Sequence, residues 1–157
     1  MKTAAWVPIL FGVAGFLMSS IILTLDNWVG QTDSDRNVSW PKVLYGILLF
    51  SFQYWFSGFL DNALVPSQTI NILLFIIALS GMAAFGLSRS TLILSASTFA
   101  AGPLTEIFLI NELGLYQYTH PLFLGICNWI PWVYWLGAVA VGNLARKLHN
   151  TDLPLQS

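Results

Sequence analysis

The stretch that opens Tyr116-Gln117-Tyr118-Thr119-His120-Pro121, runs through Phe123-Leu124, Trp129 and Pro131, and closes on Val141-Gly142-Asn143, Arg146 and Leu148 decides the fold. It joins a polar aromatic turn to a long apolar run, 122–145, that ends in a basic cluster. About 20 apolar residues in a helix cross a hydrocarbon layer of roughly 30 Å. Four more runs of this kind precede it, at about 3–25, 43–64, 69–87 and 91–111. The expected architecture is therefore an all-α, polytopic membrane protein of five transmembrane helices forming one domain over 1–157. The first run continues to Leu25, longer than the apolar core of a secretory signal, and is read as a retained helix.

Composition agrees. Charged residues make up 8% of the chain and hydrophobic ones 56%, against roughly 25% and 45–50% in soluble domains. The excess apolar surface has to face lipid. A net charge of −1 gives no electrostatic case for nucleic acid. The single Cys127 allows no disulfide framework and no metal-ligand spacing. The links between runs are short, and the longest, from Asp26 to Trp40, is rich in Asp, Ser, Asn and Gln. An odd number of spans with no internal repeat disfavours a repeat-built transporter.

Orientation follows from Lys and Arg in the short links. Arg36, Lys42, Arg89, Arg146 and Lys147 fall on one side and Lys2 on the other. This bias predicts a cytoplasmic C-terminus and an external N-terminus, in the endoplasmic reticulum of a eukaryote or the cell membrane of a prokaryote. Trp28, Trp40, Tyr116 and Tyr118 stand near span ends, where amphipathic rings settle at the interface.

Inside the spans only Glu106 is clearly ionisable, and there is no nucleophile elbow, zinc-protease motif, carboxylate pair or phosphate loop. The remaining polar groups at depth, including Gln53, Asn71, Asn128 and Asn143, are neutral. They suit hydrogen bonding to a neutral amphiphile and argue for binding rather than catalysis. Glu106 follows Gly102-Pro103, where a proline bends a helix. It reads either as a carboxyl that holds helices together or as one that faces a ligand. Pro131 with Asn128 reads as a kink that can open room between helices. Gly12, Gly15, Gly137 and Gly142 permit close helix contacts, within the chain or in a homo-oligomer.

The block from Tyr116 to Leu148 resembles the last loop and last membrane helix of the Insig (insulin-induced gene) family. The likeness extends through Ala5-Trp6-Val7-Pro8, Leu60-Asp61, Phe85, Ser88-Arg89-Ser90 and Thr105-Glu106. The family has six spans, and against it this chain is expected to lack the first. That turns the N-terminus outward and leaves every later helix oriented as in the family, in agreement with the Lys/Arg bias. The resemblance implies a non-enzymatic protein that holds a sterol or a diacylglycerol-type lipid in an intramembrane cavity and regulates a membrane partner. It implies no cofactor beyond the bound lipid. It places Phe50 on a pocket phenylalanine and Gln68 on the pocket glutamine. Gln53, Glu106, Asn128, Trp129 and Pro131 complete the expected ligand-binding set. Arg89 and Gly86 occupy the turn that grips partners, where the family carries an Asp. Gly86 has no side chain to offer there, so a grip of the family's kind on sterol-sensing proteins is not expected. Ile72 or Leu73 stands where the family has a pocket threonine, which makes an acyl-chain lipid as good a candidate as a hydroxysterol. Two rival readings are a TspO-type five-helix binder of tetrapyrroles or sterols, and a small lipid enzyme using Glu106, His120 or Asp61.

Overall fold

The computed structural model describes residues 6–32 and 36–152. They form five helices: α1 (Trp6–Trp28), α2 (Trp40–Asn62), α3 (Ser67–Phe85), α4 (Arg89–Asn111) and α5 (Ile130–Asp152). The first four are long and apolar enough to cross a membrane. Lys2 and the first residues of the expected 3–25 span lie outside the described residues.

The fifth helix corrects the expected 122–145. It begins at Ile130, because Leu124 and Gly125 take left-handed φ values of 47° and 86°. Phe123 N–H donates to Ile126 O at 3.2 Å and Ile126 N–H to Phe123 O at 2.9 Å, closing a tight turn. Hydropathy could not see this. Leu122, Phe123 and Leu124 are 58%, 65% and 54% exposed, so this turn shows apolar side chains outward as a span would. Pro131 is accordingly no kink. It is the second residue of α5, where a missing N–H leaves no intrahelical bond unmade.

α5 packs against all four other helices, α2 pairs with α3, and α1 pairs with α4. This explains why the least apolar helix lies at the centre. It carries Asn143, Arg146 and Lys147, yet its neighbours shield it from lipid. Small residues bring the backbones close. Gly46 faces Ala140, Gly81 faces Leu136, Gly102 faces the Tyr134 ring, Gly137 faces the Phe50 ring, and Gly142 faces Ile22. α1 is held chiefly near its end, where Ile22 and Asp26 are buried. Gly12 and Gly15 face open space.

The alternation of helices gathers Arg36, Lys42, Arg89, Arg146 and Lys147 at one end of the bundle, here called the basic end. Asn150 donates to Arg36 O at 2.8 Å, and Lys147 Nζ lies 5.9 Å from the centre of the Trp40 ring. Among the described residues no Lys or Arg stands at the opposite end. A reporter fused after Ser157 is therefore expected to read as cytoplasmic and one placed before Lys2 as external. Two reporters on one side of the membrane would contradict this arrangement of helices.

Candidate functional site

Each end of the bundle carries a polar centre. At the basic end the carboxylate of Asp26, on the last turn of α1, meets the guanidinium of Arg146 on α5. Nε donates to Oδ2 and Nη2 to Oδ1, both at 2.7 Å. The side chains are 2% and 3% exposed. A planar guanidinium matches a carboxylate two bonds at a time, and its remaining donors still need acceptors once water is excluded. The cap and first turn of α4 supply them. Arg146 Nη1 donates to Thr91 Oγ1 at 2.9 Å, and Nη2 to Ser90 Oγ at 2.9 Å and Ser88 Oγ at 3.2 Å. The Ser90 hydroxyl donates to Asp26 Oδ1, and Arg36 Nη2 donates to Asp26 O at 2.6 Å. Ser88 also accepts the Thr91 N–H and caps α4. This cluster ties α1, α4 and α5 together.

At the opposite end Glu106 gathers tyrosines. Tyr134 OH donates to Oε1 at 2.8 Å and Tyr118 OH to Oε2 at 2.5 Å. The Tyr116 ring lies 5.9 Å from that of Tyr118 and 6.0 Å from that of Trp6. The carboxyl therefore joins α4 to α5 and to the loop before it, the first of the two readings its position allowed. Nearby, His120 Nδ1 lies 3.2 Å from Asp61 Oδ1. That pair lines a groove of about 220 Å³ with Leu64, Val65, Ser67, Pro121, Leu122 and Trp129. Cys127 Sγ contacts His120 O at 3.6 Å. Burial, aided by the Asp61 and Glu106 carboxyls, pushes its thiol up to about 12, so it stays protonated and unreactive. Among the described residues no group of three His, Cys, Asp or Glu could hold a metal ion.

Comparison with known proteins identifies relatives of the whole arrangement. No family model matches the chain, and no solved structure does. The insulin-induced gene 1 protein of Xenopus laevis is 31% identical over 148 residues, 94% of this chain and 57% of that protein. That of Danio rerio is 30% identical over 147 residues, with the same two shares. The human protein is 31% identical over 148 residues, 94% of this chain and 52% of its own length. The chain is an Insig homologue. It spans a little over half the length of the curated relatives it matches.

In this Insig homologue the residues expected to bind a ligand divide among four places. Phe50 and Gln53 lie in the middle of α2. Phe50 rests on the bare backbone of Gly137, where an added Cβ would be 3.1 Å from its ring. Gln53 is fully buried and donates from Nε2 to Leu74 O at 2.9 Å, whereas its Oε1 has no hydrogen-bond partner among the described residues. Asn128, Trp129 and Pro131 sit at the entry to α5. Trp129 is buried beside the groove, and Asn128 Oδ1 is also without a partner. Glu106 stands among its tyrosines, and Gln68 is exposed at the start of α3.

The turn expected to meet partners is more closed than its sequence suggests. Gly86 is buried, and a Cβ there would lie 2.9 Å from Val139 Cγ1, 3.1 Å from Met82 Sδ and 3.2 Å from Thr91 Cγ2. The turn presents Leu87 and Arg89 outward instead. Sequence reasoning missed the Asp26–Arg146 cluster altogether, assigning Asp26 to a wet loop and Arg146 to the interface. The signal was there in part. A single carboxylate immediately after the first apolar run, and a single arginine at the end of the last, need only adjacent helices to meet.

Proposed function

We propose that the chain is a non-enzymatic membrane protein of Insig type. It binds a neutral, hydroxyl-bearing lipid, a sterol or a diacylglycerol, within the bundle, and regulates a membrane partner in sterol metabolism. Its relatives are named insulin-induced gene 1 proteins, and the likeness covers nearly the whole of this chain. The observation that carries the lipid reading is Gln53 Oε1, an acceptor held at membrane depth with no donor. Leaving such a group unpaired costs about 1–3 kcal/mol. A lipid hydroxyl is a donor that can reach this depth without bringing a charge.

Phe50 supplies the apolar half of the same site, next to Gln53 on α2 and facing α5. Gln53→Leu is expected to lower occupancy by the hydroxyl-bearing lipid by about 1–2 kcal/mol. Phe50→Ala is expected to lower it by about 1–3 kcal/mol, the value of one well-buried apolar side chain. Lipid mass spectrometry on gently purified variants, with thermal melting as the folding control, measures both. Unchanged occupancy in both well-folded variants would remove this part of α2 from the lipid site.

A further inference from the structure

The groove at the end opposite the basic cluster is a second polar surface that the core site does not use. It forms where α2 ends, α3 begins and the turn before α5 folds back. One water needs only about 10–15 Å³ of such space, so about 220 Å³ admits a head group the size of glycerol or the first ring of a sterol. We propose that this groove seats the hydroxyl head group of a second neutral lipid, which donates its one hydrogen to Asp61 Oδ2 while His120 holds that carboxylate in place. The proposal rests on the lipid-binding reading above and adds a second place where a lipid hydroxyl is read.

Hydrogen-bond chemistry fixes the class of ligand. A carboxylate accepts only, so in the contact with Asp61 Oδ1 the imidazole donates from Nδ1. The pair thus leaves Asp61 Oδ2 as an acceptor for a ligand and calls for a donor. Phosphate is excluded as the recognised group. Among the described residues no Lys or Arg stands at this end, and the Asp61 carboxylate repels an anion. An ammonium head group of a phospholipid would bring its phosphate into the same place without a cation to meet it. An uncharged hydroxyl donates its one hydrogen to the carboxylate at no such cost.

The walls indicate that the ligand comes from the membrane. Leu64 and Leu122 stand at the mouth, 75% and 58% exposed, and the Trp129 ring is buried beneath. A water-soluble polyol would gain nothing from so apolar a rim. Leu64 has a φ of 56°, a left-handed conformation that a leucine adopts at a cost. Such strain gathers at ligand sites, where the surrounding structure over-determines the backbone.

The test uses the full chain purified in mild detergent and four probes. These are a 1,2-diacylglycerol, its 3-acetyl derivative, cholesterol and cholesteryl methyl ether, with binding read by native mass spectrometry. The wild-type chain is expected to prefer at least one free hydroxyl over its capped counterpart by about tenfold or more, the value of a hydrogen bond to a charged group. Which of the two pairs shows the preference tells glycerol from sterol. Gln53→Leu is expected to bind less but to keep a preference, and adding Asp61→Ala or His120→Ala to it is expected to leave free and capped lipids bound alike at an unchanged melting temperature. A full preference in folded Gln53→Leu/Asp61→Ala or Gln53→Leu/His120→Ala would overturn the proposal and leave lipid binding intact, as would a wild-type chain that binds capped and free lipids equally. A wild-type chain that binds none of the four would overturn the lipid-binding reading itself, and this inference with it.

Discussion

Replacing Arg146 with alanine is expected to cost the bundle about 3–5 kcal/mol of stability, because removal of one partner leaves a buried charge unpaired. Asp26 is almost fully enclosed and is bound by both edges of the guanidinium. Without Arg146 it keeps the Ser90 hydroxyl, and no side-chain cation is left bonded to its carboxylate. The same change also strips Thr91, Ser88 and Ser90 of a common donor, so the cap and first turn of α4 loosen together with α1. Asp26→Ala is expected to do comparable damage from the other side. The double substitution Asp26→Leu with Arg146→Leu should recover much of the loss, since a buried pair replaced by packed apolar groups is often near neutral. Denaturant unfolding in nanodiscs measures all three. An Arg146→Ala chain as stable as the wild type would show that the pair is not enclosed as described.

The second large effect is expected at Gly102. An added Cβ would lie 2.3 Å from Tyr134 Cγ and Cδ1 and 2.5 Å from Cδ2. The ring cannot swing aside freely, because its hydroxyl is bonded to Glu106 at 2.8 Å. Gly102→Ala should therefore destabilise by about 1–3 kcal/mol through overpacking, and by more if the Tyr134–Glu106 bond is lost. Gly12 is the control within the same molecule. Nothing lies within 4 Å of a Cβ added there, and alanine is the better helix former, so Gly12→Ala should be neutral or slightly stabilising. Equal melting temperatures for the two variants would contradict the close approach of α4 to α5.

These two sites show where sequence reading succeeds in a membrane protein and where it stops. The first four helices were legible because lipid demands long apolar runs, and their ends came within a few residues of the expected ones. The last helix was misplaced at its start, because Leu122, Phe123 and Leu124 are apolar while the backbone turns at Leu124 and Gly125. Hydropathy reports what faces lipid, not whether the chain is helical. Glu106 was visible as the one carboxyl inside a span, and its partners were not. Tyr116 and Tyr118 read as rings at an interface, and only the folding back of their loop aims the Tyr118 hydroxyl at Glu106. Asp61 and His120 stand 59 residues apart in the sequence, and nothing in their spacing pairs them. The packing of α2 beside α5 brings them together. Asp26 and Arg146 were each explained singly, as a loop acid and an interface base. A buried pair is polar in sequence and closed in structure, so pairing can be read only once the neighbours of each helix are known.

The account stands most directly on what the chain carries out of the membrane. Quantitative lipid mass spectrometry of the wild-type protein, purified gently from membranes containing both sterol and diacylglycerol, answers this in one experiment. The predicted result is one or two molecules of a neutral, hydroxyl-bearing lipid retained per chain and enriched far above its share of the membrane. Retention of bulk phospholipids alone, in the proportions of the surrounding bilayer, would contradict it.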